Sequence, residues 1–385
     1  MKRLLVLCLF AAGCASDPPA KTLPLEQQPV RTRSIDDAIA DGVSFLLKSQ
    51  EKGGYWGTGC RPLGWDIYAS APGSHAAFRV ATTGLAVRAL REIGTPEALA
   101  SAVRGEDWLM TKGVLLRRAS RDEIYNIWGH TYALQALSLA VREEKDPARL
   151  ERLKAAAREN IDRLVMYSTI YGGWNYYDFN IGARNPSMEP TSFGTSAGLI
   201  ALKEAQDAGL EVPAHLVKMA RRIVEKCRTP DNCYFYSYDH RWYPMFSINR
   251  PGGSAGRTQA GNDALFEWAS TAVSIDDVRG GLDMLFKFQK FLECGRKRPY
   301  PHEAYYYVAG YFYYFGHYYA SRMLQFLPAG EAKAFALKLS ETIRPKQEED
   351  GSWWDFGMWD FHKPYGTAFA LMTLKRCRDA ARQAP

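Results

Sequence analysis

Two seven-residue stretches near opposite ends of the chain constrain its fold most. Gln50-Glu-Lys-Gly-Gly-Tyr-Trp56 and Gln347-Glu-Glu-Asp-Gly-Ser-Trp353 both read Q-x3-G-x-W. Each follows an amphipathic helical pattern and precedes a second helical pattern rich in small residues. A unit that recurs at both ends implies a ring of helix pairs whose last member closes on its first.

Along the chain the same order of events occurs six times. Ser34-Ile-Asp-Asp37 is a capping-box-like start, with Asp37 at the position usual for Glu. First helices are expected near 35–49, 95–110, 148–167, 214–227, 275–294 and 330–344, each with charge on one face. Second helices are expected near 82–93, 129–141, 194–205, 257–269, 308–324 and 366–377. These are richer in Ala, Gly, Ser and Thr, which suits helices packed on several sides. Loops from second to first helices are short, and loops from first to second helices are long. Alternating up and down, the helices bring all the long loops to one end, where binding usually lives. Most of the Trp residues fall in those loops, including Trp56, Trp65, Trp174, Trp242, Trp353, Trp354 and Trp359. The inner-helix N-termini meet there too and favour an anion or developing negative charge.

The 385 residues, 46% hydrophobic and 24% charged, supply a sizeable core. Lys2, Arg3 and the apolar run Leu4–Ala12 form a targeting segment too short to span a bilayer. Ala11-Ala-Gly-Cys14 resembles the cleavage box of bacterial lipoproteins. That resemblance implies a signal peptide at 1–13, a palmitate-bearing lipidated Cys14 opening a tether over 14–34, and a toroid domain over 35–385. No acidic retention signal follows Cys14. The implied address is therefore the cell envelope, on the outer membrane and facing the periplasm, with the membrane as a partner. An ordinary signal peptide with an incidental Cys is the alternative. The net charge of +7 is scattered, which argues against nucleic acid as a partner. Cys60, Cys227, Cys233, Cys294 and Cys377 cannot all pair, and their pairing stays open.

Phe45-Leu-x3-Gln50-x3-Gly54-x-Trp56 and Gln347-x3-Gly351-x-Trp353 resemble the QW repeats of squalene and oxidosqualene cyclases. Tyr171-Gly-Gly-Trp174 looks like a copy without the Gln. The alternation of helices is similar to the (α/α)6 toroid shared by those cyclases and the protein prenyltransferase β-subunits. The resemblance implies an all-α (α/α)6 toroid in which Gln50, Gly54, Trp56, Gln347, Gly351 and Trp353 are structural. The Gln would satisfy free backbone groups at a helix end, the Gly would allow the turn, and the Trp would cover it. The chemistry is not implied. The D-x-D-D acid of the cyclases, the zinc ligands of the prenyltransferases and the G-C-x-E-Q thioester element have no match here. No metal and no cofactor is expected.

Candidate ligand-binding residues follow from position. His130 opens the second inner helix as acid, base or ligand, or as a hydrogen-bonded helix-start residue. Arg257 enters an apolar inner helix, either clamping an anion or pairing with Asp263 or Glu267. Tyr311, Tyr314 and His317 belong to the densest aromatic run, which either lines the ring's interior or fills its core. Asp355, Asp360 and His362, beside Trp359, are the weak catalytic candidates, suited to acid–base work on a glycan or simply loop residues. Asp178 is a further candidate carboxylate. The first expectation is a lipid-anchored protein holding an isoprenoid-like ligand in an aromatic cavity without cyclising it. The alternatives are a terpene-cyclase-type enzyme with a displaced acid, or a glycan-active lyase or hydrolase.

Overall fold

The computed structural model describes residues 33–60, 74–113, 125–175 and 189–382. Cys14, Trp65 and Asp178 lie outside them. Thirteen helices are found among the described residues, joined by short 3-10 turns and three isolated β-bridges.

Six helices or helix pairs form the outer ring: α1 (Ile35–Lys48), α3 (Pro96–Thr111), α5 (Pro147–Tyr167), α7 (Ala214–Cys227), α9–α10 (Ile275–Lys287 and Gln289–Gly295) and α12 (Ala329–Ile343). They start where the sequence supplies an N-cap. Ser34, Thr95, Asp146 and Ser274 each accept a backbone N–H of the first turn, and Ser274 with Asp277 completes a capping box. Each outer helix buries one stripe. On α7 that stripe is Leu216, Val217, Ala220, Ile223, Val224 and Cys227, the i, i+1, i+4, i+7 spacing of a one-faced helix.

The inner ring is α2 (Ser74–Ile93), α4 (Asn126–Glu143), α6 (Ser192–Asp207), α8 (Pro251–Glu267), α11 (Phe312–Met323) and α13 (His362–Arg382). Each packs on the next, and α13 packs on α2, so the ring is closed. These helices are buried on nearly every side; α8 is buried without a break from Gly252 to Leu265. Small residues permit that crowding. A Cβ on Gly316 of α11 would lie 2.7 Å from Gly256 Cα of α8. The expected architecture, an all-α (α/α)6 toroid, is what the chain adopts. Boundaries differ in places. Helix α2 begins eight residues and α13 four residues before the expected start, because buried side chains extend each helix into its loop.

The Q-x3-G-x-W stretches are three-way clasps. The Trp353 indole N–H donates to Ile343 O at the end of its own outer helix, at 3.0 Å. Its backbone N–H donates to Thr367 Oγ1 on its own inner helix, at 3.0 Å. Gln347 Nε2 donates to Gly351 O and to Ala38 O of α1, both at 3.0 Å. The last repeat is thereby tied to the first. Gln50 does the same onto Ser101 O of α3, and Trp56 onto Leu46 O and Thr83 Oγ1. Trp174 repeats both Trp bonds, onto Leu164 O and Thr195 Oγ1, without a Gln.

A fourth copy was hidden in the sequence. Thr229-Pro-Asp-Asn-Cys-Tyr234 makes the same two turn bonds as the other three, and Tyr234 N donates to Ser254 Oγ at 3.1 Å. Gly54, Gly172 and Gly351 take φ of +92°, +90° and +86° at the turn; Asn232 holds the equivalent place at +56°. That is the left-handed region, which Asn tolerates best after Gly. Tyr for Trp and Asn for Gly kept this copy from view.

At the far end of the inner ring, Arg322 pairs with Asp263, Glu267 and Glu204, while Arg88 and Arg376 pair with Glu92. Guanidinium groups suit the C-terminal ends of the inner helices. Asp263 and Glu267 therefore belong to Arg322 and not to Arg257. Glu267 lies ten residues beyond Arg257, about 15 Å along the helix.

Candidate active site

At the long-loop end the inner helices surround an aromatic cavity of about 130 Å³. Phe78, Trp128, Tyr132, Phe193, Phe315 and Tyr365 are among its walls, with Tyr311 and Phe312 from the start of α11 and Met358 from the last loop. No Asp or Glu is among its described lining residues. A cavity of this size holds a small ring-sized group; about 150 Å³ accommodates a benzene. Its lining carries nothing specific to an isoprenoid chain, so the first expectation of an isoprenoid-like ligand gains no particular support from it.

Polar groups cluster on one side of its rim. The His302 Nδ1 lies 2.7 Å from Tyr307 O, and its Nε2 lies 3.0 Å from the Tyr311 hydroxyl. A carbonyl only accepts, so Nδ1 carries the proton and Nε2 presents a lone pair to Tyr311. Across the Tyr236 ring sits His240. Asn249 Nδ2 donates to Tyr243 O, which turns its Oδ1 toward His240 Nδ1 at 3.1 Å. His240 therefore also carries its proton on Nδ1 and leaves Nε2 basic. Ring centroids of His240 and His302 lie 5.4 and 5.5 Å from that of Tyr236. The Tyr236 and Tyr311 hydroxyls are 3.4 Å apart. Burial, above all, lowers the pKa of both imidazoles, and the Arg257 charge lowers them further; for His240 the Asn249 bond and Asp239 pull the other way. Both are thus neutral bases at neutral pH.

Arg257 is fully buried behind this rim. It donates to Gly253 O and Ile248 O at 2.8 and 2.7 Å, with its guanidinium carbon 5.2 Å from the Tyr236 ring and 5.3 Å from the Phe312 ring. It supplies positive potential from below and does not line the cavity. Glu189 and Asp239 share a hydrogen bond nearby. Partial burial first, then Asp239, raises the pKa of Glu189.

The remaining candidates scatter. Tyr311 lines the cavity, and Trp359 lies edge-on to His75 at 4.4 Å. Tyr314 is buried. His130 faces α5, its Nδ1 3.0 Å from Asn160 Oδ1, and His317 faces α10, its Nε2 3.1 Å from Gln289 Oε1. Burial lowers both histidines to about 4. Asp355 accepts from the Tyr314 backbone N–H and the Tyr365 hydroxyl, capping α11; burial raises its pKa to about 6. Asp360 accepts from Thr58 N and Gly59 N and ties the last loop to the first. His362 begins α13, bonded to Trp359 O and packed on Trp354. Asp355 is thus taken up inside the protein, while Asp360 and His362 border a separate pocket beside Trp354 and Lys363. Their closeness in sequence does not bring all three together, because the loop between them turns. Sequence reasoning passed over His240 and His302. The available signal was a His beside Pro or Arg inside a Tyr-rich mouth loop.

No family model matches the chain, and no curated protein sequence matches it. Solved structures do. A sugar epimerase from a ruminal bacterium superposes with a TM-score of 0.59 at 15% identity, covering 89% of this chain and 98% of that one. An alpha-1,6-mannanase from Salegentibacter gives 0.57 at 9% identity over 90% and 100% of the two chains. The cellobiose 2-epimerase from Bacillus thermoamylovorans gives 0.56 at 10% identity over 89% and 99%. At such identities the likeness establishes the (α/α)6 toroid. The toroid implied by the resemblance to cyclases and prenyltransferases is thus present, while the similar structures give no support to those families in particular.

Proposed function

We propose that the protein is a sugar-active enzyme that moves protons on a neutral saccharide held at the aromatic mouth. The observation that carries this reading is the His302–Tyr311 pair. A neutral imidazole with its tautomer fixed by Tyr307 aims its lone pair at a hydroxyl on the cavity wall. Tyr311 can then give or take a proton with His302 behind it, while His240 offers a second base across Tyr236. Aromatic walls suit the apolar face of a pyranose, and the rim supplies hydrogen bonds for its hydroxyls. Similar folds described as sugar epimerases and a mannanase support a carbohydrate substrate.

Two neutral bases grouped at one rim favour isomerisation or epimerisation. Hydrolysis is the second reading, favoured by Glu189, whose pKa is raised by partial burial and by the neighbouring Asp239, the direction a general acid requires. Incubation with reducing mono- and disaccharides in D2O separates the two. Deuterium entering the sugar carbon next to the carbonyl, reduced about 100-fold or more in His302→Gln, is the expected result. Free reducing ends released without deuterium would favour hydrolysis, and no turnover of any sugar would refute both.

The lipid anchor belongs to this proposal as well. Labelled palmitate should appear on the protein and disappear in Cys14→Ser; label that persists in the variant removes the anchor.

A further inference from the structure

The loops beside the His pair leave large aromatic residues in solvent where a closed core would hide them. Trp242 is 74% exposed, Tyr243 55% and Phe246 54%. They are not scattered. The Tyr243 and Phe246 rings stack at 5.2 Å, and Phe246 meets His240 edge-on at 6.1 Å. His240 lies 5.4 Å from Tyr236, which reaches Phe312 in the cavity wall at 6.4 Å. A continuous track of rings therefore runs from the outer surface into the cavity.

Resting on the sugar reading above, we propose that this track is a binding platform for the rest of a neutral oligosaccharide whose end unit occupies the cavity. The cavity's volume admits one ring-sized group, so a longer substrate must lie along the rim. Pyranose rings offer flat apolar faces at each unit, which match a succession of exposed aromatic faces. Charge points to a neutral chain. The platform and its neighbours carry Asp239, Glu189 and Glu303 against Arg241, Arg250, Lys226 and the buried Arg257 beneath them. Arg241 is engaged already, its guanidinium carbon 3.4 Å from the Tyr238 ring centroid. So near a balance, with Arg257 buried and Arg241 on an aromatic ring, provides little net field to hold an anionic polysaccharide or an anionic bilayer. The rim also offers polar partners between the rings, His240 and Asn249 among them, which a membrane surface would leave unused.

Calorimetric titration with mannose, alpha-1,6-linked mannobiose and mannotetraose, and with glucose, cellobiose and cellotetraose, tests the platform. Wild-type protein should bind one tetrasaccharide at least about tenfold tighter than its disaccharide, the gain expected from two stacked rings. The Trp242→Ala, Tyr243→Ala, Phe246→Ala triple variant should lose that gain while keeping wild-type disaccharide affinity and thermal midpoint. A tetrasaccharide bound no more tightly than its disaccharide, or a gain that survives the triple variant, overturns the platform and leaves the sugar site standing. No binding of any saccharide to wild-type protein removes the sugar reading and the platform with it. Sedimentation with phosphatidylethanolamine–phosphatidylglycerol vesicles that the triple variant abolishes, with sugar affinities unchanged, assigns the patch to a membrane instead.

Discussion

Replacing Trp353 tests the clasp, the feature from which the fold was inferred. Its ring is fully buried between α1 and α13; a Cβ on Gly42 would fall 2.7 Å from its ring edge. Trp353→Ala removes the ring and opens a cavity there, at a cost of about 3–5 kcal/mol. Trp353→Phe keeps most of the packing but leaves Ile343 O without its indole donor, at a cost of about 1–3 kcal/mol. In a domain of this size each kcal/mol lowers Tm by about 2 °C. The alanine variant should therefore melt about 6–10 °C below wild type and the phenylalanine variant about 2–6 °C below, followed by far-UV circular dichroism. Trp174→Phe serves as the control, since Trp174 makes the same two bonds at a clasp that does not close the ring. Its loss should equal that of Trp353→Phe. A Trp353→Phe protein as stable as wild type would refute the hydrogen-bonded clasp and reduce the Trp to packing, and equal losses for Phe and Ala would reduce it to its indole hydrogen bond.

Asn232 holds a left-handed turn position filled by Gly in the other three clasps. Asn232→Gly should be nearly neutral, and Asn232→Val should cost about 1–2 kcal/mol in urea denaturation. His130 and His317 titrate near 4 when folded and near 6.5 when unfolded. Each contributes stability that is present above 6.5 and lost as pH falls through 4, about 3 kcal/mol apiece. His317→Gln should weaken the acid sensitivity of unfolding by about that amount. Asp355 acts in the opposite sense: its folded pKa of about 6 exceeds the usual carboxylate value, so its contribution is full below 3.8 and lost as pH rises through 6. Asp355→Asn should steepen the loss of stability between pH 6 and 4, and an unchanged slope would place the titration elsewhere. A methyl group at Gly316 meets the Gly256 backbone, so Gly316→Ala should destabilise by about 1–3 kcal/mol, read from the thermal midpoint.

What the sequence by itself determined is the periodic part of this protein. Helix faces, caps and glycine-bearing turns depend on residues a few places apart, and the spacing of Gln50 to Trp56 and Gln347 to Trp353 carries them directly. Even Trp174, without its Gln, was legible. The copy ending at Tyr234 was not, because Asn232 and Tyr234 fill the same geometry with different residues. The site was beyond reach for another reason. Asp355, Asp360 and His362 are neighbours in sequence, yet Asp355 is buried against Tyr314 and Tyr365 while Asp360 and His362 border a separate pocket, because a loop's turns and not its order set where each side chain points. His240, His302 and Tyr311 come from two loops and a helix start, and meet only because the closed ring brings the long loops to one mouth. Their protonation depends on burial and on Arg257 beneath them, which are properties of the packed ring rather than of any stretch of sequence.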